Sequence, residues 1–186
     1  CYPEATAAKE EIDVVVAGDG ERTLPALLHA LDRRRPLEEV PHLLFRKAGR
    51  VCRTGPGDHI ADLDSLPFPA FELTDFLSYQ STIGSARAAA SVCTSRGCPF
   101  ACTYCMNSER RCRLRSPDHV VEELSRYVAR GMKEFFFVDD TFNLTAERGE
   151  KIAAAILERR LDIRWGAKAR LDRVTGKMLE AARRSG

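Results

Sequence analysis

Thr94-Ser95-Arg96-Gly97-Cys98-Pro99-Phe100-Ala101-Cys102-Thr103-Tyr104-Cys105 places three cysteines at C-x3-C-x2-C spacing directly after an apolar segment, Ala88 to Val92. Three thiolates so close together repel one another unless a metal centre absorbs their charge. Cysteine thiolates hold iron–sulfur clusters, usually in fours. A set of three leaves one iron of a cubane open to a ligand that the protein does not supply. A structural zinc site would instead need four ligands, with Cys93 or Cys112 as the fourth. The chain has no second C-x2-C pair, and C-x3-C is an unusual zinc spacing. A disulfide framework fits less well, because seven cysteines is an odd number and no secretory leader is visible. Cys1, Cys52, Cys93 and Cys112 are therefore expected to be ordinary residues.

The segment 94–105 resembles the signature of radical S-adenosylmethionine enzymes. The resemblance continues through Arg113-Leu114-Arg115-Ser116-Pro117, Phe137-Val138-Asp139-Asp140-Thr141-Phe142 and Trp165 to Arg170, which are similar to the branch carrying an N-terminal cobalamin-binding domain. It implies that Cys98, Cys102 and Cys105 bind a [4Fe–4S] cluster whose fourth iron chelates S-adenosylmethionine, with Tyr104 near the adenine. It implies reductive cleavage of that cofactor to methionine and a 5′-deoxyadenosyl radical, in the service of cobalamin-associated methyl transfer or a related modification of a small metabolite. A low-potential electron donor such as flavodoxin or ferredoxin would supply the electron. Two alternatives remain: a cobalamin-independent radical enzyme such as a methylthiotransferase, or a zinc-stabilised interaction module that is not an enzyme.

Composition adds boundaries. The 186 residues are 44% hydrophobic with a net charge of +2, enough for a core and too balanced to argue for nucleic acid. No apolar run approaches the roughly 18 residues that span a bilayer. A cytoplasmic protein is expected, without a nucleic-acid partner or membrane span. Both ends look cut, and a fragment is expected.

Ile12 to Ala17 is a β-branched run, followed by Gly18-Asp19-Gly20-Glu21 and by Leu24, Leu27, Leu28 and Leu31 at helical spacing. Strand, glycine turn and helix form one unit of a doubly wound fold. The turn resembles the Gly-Glu-Gly-Glu segment of cobalamin-binding domains, but no Asp-x-His-x-x-Gly motif is present, so cobalamin is assigned to the longer protein. Leu43–Arg46 and Val51–Thr54 flank a glycine-containing turn and read as a hairpin. Asp62 to Pro69 is a proline-punctuated linker.

From residue 88 onward, strand, loop and helix alternate. Ser116 caps a helix that Pro117 opens, with Val120, Val121, Leu124 and Val128 as its buried stripe. Glu134 to Val138 is a continuously apolar strand of the kind that helices cover on both faces. A helix with Ile152, Ile156 and Leu157 inward, a strand over 162–167 and a helix over 175–185 complete three βα units. The expected fold is α/β: a remnant of a doubly wound cobalamin-binding-type domain over 1–35, a hairpin and linker over 36–86, and about half of a partial (β/α)6 radical S-adenosylmethionine barrel over 87–186.

In such barrels the active site lies at the C-terminal ends of the strands. That rule selects the cysteine loop, then Asp139, Asp140, Thr141 and Asn143, then Lys168 and Arg170. By resemblance, Asp139 or Asp140 accepts a hydrogen bond from the amino group of S-adenosylmethionine, with capping of the next helix by a carboxylate or Thr145 as the alternative. Arg170 pairs with a carboxylate of cofactor or substrate, or forms a structural ion pair with Asp172 or Asp162. Arg110, Arg111, Arg113 and Arg115 would steer an anion or remain solvated. The histidines have no metal-ligand spacing.

Overall fold

The computed structural model describes residues 2–57, 59–78, 89–106 and 109–186. Cys1, Ala88 at the start of the first barrel strand, and residues 79–86 of the linker lie outside them. Two compact units are present, Cys1–Ala61 and Asp62–Gly186.

The first unit holds helix α1 (Pro3–Ala7), strand β1 (Val14–Val16), helix α2 (Gly20–Asp32) and the hairpin β2 (Leu43–Lys47) and β3 (Arg50–Arg53). The sheet order is β1-β2-β3, antiparallel throughout, with Val15 opposite Leu44 and Phe45 opposite Cys52. The βα unit read from the sequence therefore pairs with the hairpin, where a parallel neighbour was the expectation; antiparallel strands at the margin of doubly wound sheets are common. The hairpin turn runs through Ala48 and Gly49 at φ of 50° and 74°. Both φ values are positive, as a turn matching the twist of its strands requires. The Arg46 guanidinium reaches from β2 to the carbonyls of Ala7, Glu10 and Ile12 at 2.9–3.1 Å, and also to that of Lys9, holding the segment after α1.

Helix α2 forms where the leucine spacing places it, but it buries only one of two apolar rows. Thr23, Leu27 and Ala30 are buried, whereas Leu24, Leu28 and Leu31 are exposed. The exposed row has the same i, i+4, i+7 spacing one residue later, about 100° around the helix. Periodicity identifies both rows as apolar, but only one row meets the sheet.

The second unit contains β4 (Ala89–Val92), β5 (Ser95–Arg96), β6 (Arg113–Leu114), α3 (Pro117–Val128), β7 (Glu134–Phe137), α4 (Ala146–Glu158), β8 (Arg164–Ala167) and α5 (Gly176–Ser185). Strands β4, β7 and β8 form a parallel sheet in that order, with Val92, Phe137 and Ala167 in register at their C-terminal ends. These are the three βα units the alternation predicts. Ser116, Thr145 and Thr175 cap the three helices, each hydroxyl accepting the backbone N–H three residues on. Gly131, at φ of 91°, carries the chain out of α3.

The core stacks Phe137 on Phe142 at 5.0 Å, with Trp165 tilted against both, and adds Val120, Val121, Leu124, Ile152 and Ile156. Tyr127 takes a fully buried place, while Val128 is only partly buried. Leu157 and Val138 are exposed, contrary to expectation: Leu157 lies one position beyond buried Ile156 on α4, and Val138 follows the last residue of β7. No helix among the described residues is long and apolar enough to cross a membrane.

Candidate functional site: three loops at the C-terminal ends of the parallel strands

The parallel register brings three loops to one end of the sheet. The first, 97–112, is closed at its base by a short antiparallel pairing that the sequence did not reveal. Ser95 faces Leu114, Arg96 faces Arg113, and Cys98 N–H donates to Glu109 O at 2.9 Å. Gly97 sits in that base at φ of 84°, where a Cβ would lie 2.3 Å from the Arg111 carbonyl oxygen. The loop therefore needs glycine there for its own closure.

Cys98 is buried, Cys102 half-buried and Cys105 exposed. Tyr104, beside Cys105, stands 88% exposed. The Cys98 sulfur lies 3.4 Å from the Thr141 hydroxyl, in the loop after β7. The Cys102 sulfur accepts from Arg170 Nη1 at 3.4 Å, in the loop after β8. The cysteine loop thus touches both neighbouring loops through its own thiols. The other two cysteines of this region turn to backbone at the loop base, Cys93 to Ser95 O at 3.0 Å and Cys112 to Gly97 O at 3.5 Å. Desolvation of their sulfurs pushes both thiol pKa values up. Among the described residues, no three His, Cys, Asp or Glu side chains are drawn together into a ready ligand set.

The two aspartates after β7 do different things. Asp139 is 1% exposed, and its carboxylate accepts from Thr94 N–H at 2.7 Å, Ser95 N–H at 2.7 Å and the Thr94 hydroxyl at 2.6 Å. It anchors the entry to the cysteine loop and caps no helix; Thr145 does that. Asp140 is exposed, as alternation along an extended chain requires.

Arg148, on α4, carried no signal in the sequence beyond being an arginine in an amphipathic helix. It is buried and donates to Thr94 O at 2.7 Å, Thr94 Oγ1 at 3.2 Å and Arg115 O at 3.0 Å. Burial lowers its pKa, and the Asp139 carboxylate opposes that shift. Thr94 is thereby gripped from both sides, by an anion and a cation.

Arg170 is held by its backbone and its side chain. Fully buried Asn143 donates to Arg170 O at 2.9 Å and accepts from Arg170 N–H at 2.8 Å. The guanidinium forks onto Asp172 at 3.0 and 2.7 Å and lies 4.1 Å above the Phe100 ring, which Arg173 also approaches at 4.8 Å. Hydrogen bonding to Asp172 raises its pKa further, with a smaller contribution from Cys102. The carboxylate partner foreseen for Arg170 is thus Asp172.

The basic stretch after the loop divides. Arg113 is buried and paired with Glu109, and Arg115 pairs with buried Glu123, whereas Arg110 and Arg111 are exposed. His119 accepts from Arg115 Nε at 3.0 Å and stacks on Phe68, a packing role.

A parallel βα sheet carries a thiol-bearing loop at its C-terminal end, met there by polar side chains from the next two strands, an α/β core with its functional groups gathered at one end of the sheet. Residues 92–186 match the family model of the radical SAM superfamily, and the chain belongs to that superfamily. An uncharacterized methyltransferase of Pyrococcus horikoshii is 35% identical over 94% of this chain and 38% of its own length. The hopanoid C-3 methylase of Methylococcus capsulatus is 34% identical over 78% of this chain and 27% of its own length. The solved radical S-adenosylmethionine methyltransferase TsrM of Kitasatospora setae, with cobalamin and a [4Fe-4S] cluster bound, shares the fold. Its TM-score is 0.75 at 20% identity, covering all of this chain and 39% of that one. The chain spans about two fifths or less of the length of each of these three proteins.

Proposed function

We propose that this chain is part of a radical S-adenosylmethionine methyltransferase, in which Cys98, Cys102 and Cys105 hold a [4Fe–4S] cluster. The observation that carries the proposal is the pairing of the loop's sulfur atoms with polar groups from neighbouring strands, Thr141 on Cys98 and Arg170 on Cys102. Soft thiolates select iron–sulfur centres, and hydrogen bonds to their sulfurs are part of how proteins tune them. The donor set therefore fits the cluster. When bound, a cluster with one iron open to S-adenosylmethionine supplies the electron that cleaves the sulfonium to methionine and a 5′-deoxyadenosyl radical.

The chain's own residues then have distinct tasks. Asp139 and Arg148 hold Thr94, and with it the strand β5 that closes the loop. Asn143 fixes Arg170 beside Cys102. Asp140, the exposed member of the acidic pair, is the carboxylate placed to accept from the amino group of S-adenosylmethionine, and Tyr104 is the aromatic group for its adenine. The similarity to the methyltransferases above supports methyl transfer to a small molecule, and the cobalamin bound to TsrM supports a corrin as a cofactor. We assign the corrin to the longer protein, with residues 1–35 as a remnant of its binding domain, 36–86 as hairpin and linker, and the barrel core from residue 87.

Anaerobic reconstitution with iron and sulfide, followed by electron paramagnetic resonance of the reduced protein, tests this assignment. The expected result is a cubane signal that changes on adding S-adenosylmethionine and is lost in Cys102→Ala. A colourless protein holding tightly bound zinc would refute it.

A further inference from the structure

Arg170 makes a contact that binding of S-adenosylmethionine does not require: its guanidinium bridges a carboxylate and a sulfur. Nε and Nη2 donate to Asp172, while Nη1 donates to Cys102 Sγ at 3.4 Å. The position is not left to a flexible side chain. Asn143, fully buried, pairs with the Arg170 backbone in both directions, and the Phe100 ring lies beneath the guanidinium at 4.1 Å. Phe100 itself sits between Cys98 and Cys102. The same cation therefore packs on the loop that carries the thiols and donates to one of them. A planar fork held in this way presents a fixed N–H and a fixed positive charge to one sulfur.

We infer that Arg170 is a tuning residue, setting the reduction potential of the centre held by the cysteine loop through its hydrogen bond to Cys102, with Asp172 as a counterweight. This inference rests on the function proposed above. The physical basis is differential stabilisation. Adding an electron increases the negative charge shared by the ligating sulfurs, so a nearby N–H and positive charge favour the reduced form and raise the potential. Asp172 draws on the same guanidinium and offsets part of its field. The two residues therefore act with opposite signs, which a merely structural ion pair would not do.

Anaerobic redox titration of the reconstituted protein without S-adenosylmethionine, followed optically or by electron paramagnetic resonance, tests the assignment. Iron and sulfide content is measured first on each variant. Arg170→Gln removes the cation and is expected to shift the midpoint to a more negative potential. Arg170→Lys keeps the charge without the fork and should fall between Gln and wild type. Asp172→Asn, at an exposed position, frees the guanidinium from its counterweight and should shift the midpoint upward. The inference is overturned if Arg170→Gln titrates with the wild type, or if Asp172→Asn moves in the same direction as Arg170→Gln. If Arg170→Gln retains no centre, Asp172→Asn decides alone, and an unchanged or lowered midpoint overturns the inference. A wild-type protein that assembles no cluster would sink the proposed function itself, and that result is separable from a cluster whose potential ignores both substitutions.

Discussion

Asp139→Asn is the substitution whose cost can be worked from the geometry. The carboxylate accepts three hydrogen bonds of 2.6–2.7 Å from Thr94 and Ser95 and is 1% exposed. Asparagine has nearly the same shape but only one acceptor oxygen. That oxygen can serve the two backbone N–H groups, while the new amide faces the Thr94 hydroxyl. The Thr94 hydroxyl must turn from donor to acceptor at that amide, and all three bonds change from charge-assisted to neutral. Hydrogen bonds to charged groups contribute about 1.5–3 kcal/mol and neutral ones about 0.5–1.5 kcal/mol. Removing a buried charge recovers some desolvation energy, leaving a net cost of about 2–3 kcal/mol. Trp165 is the single tryptophan and packs in the core of the second unit, so its fluorescence during urea denaturation reports that unit's unfolding. Arg148 grips the same threonine, so Asp139→Asn and Arg148→Met should couple by about 1 kcal/mol or more in a double-mutant cycle. A loss below about 0.5 kcal/mol for Asp139→Asn, with additive behaviour in the cycle, would refute the claim that this aspartate anchors the loop.

Gly97→Ala should cost about 2 kcal/mol or more, from the positive φ and the contact with the Arg111 carbonyl; the protein should also retain less iron after reconstitution, measured by colorimetric iron assay. Ala48→Asn should stabilise the first unit by about 0.5–1 kcal/mol, since the hairpin turn places this alanine at φ of 50° and Asn-Gly is favoured there; differential scanning calorimetry will show it as a higher melting temperature. Burial, followed by the nearby Glu123 carboxylate, raises the pKa of Tyr127. The fold favours the neutral phenol, so its contribution is complete below the ordinary tyrosine value near 10 and declines as pH rises above it. Denaturation midpoints between pH 9 and about 11 should therefore fall more steeply for wild type than for Tyr127→Phe.

Much of the barrel half was legible because its signals are local. Thr145 and Thr175 sit where a chain must stop being extended and start being helical, and the run Phe135 to Phe137 is apolar because helices cover a parallel sheet. Which apolar row of α2 is buried is a matter that no local rule decides. Leucines 24, 28 and 31 and the row of Thr23, Leu27 and Ala30 have identical spacing, and the choice between them depends on where the sheet lies.

The cysteine spacing by itself pointed to a metal centre held by thiolates, because three thiols within eight residues constrain the chemistry before the chain folds, and the resemblance of the whole segment 94–105 supplied the class. The alternation of strand and helix determined where along the chain the candidate residues would fall. The tertiary structure decided what each of them does. Asp139 and Asp140 are adjacent and chemically identical, yet one is buried under three donors and the other faces solvent, since alternation along the chain after β7 turns them to opposite sides. Arg148 and Thr94 are 54 residues apart, and Arg170 and Cys102 are 68 apart. Neither pair has a sequence signature, because a hydrogen bond between distant residues depends on the parallel register of strands, and that register exists only once the sheet has formed.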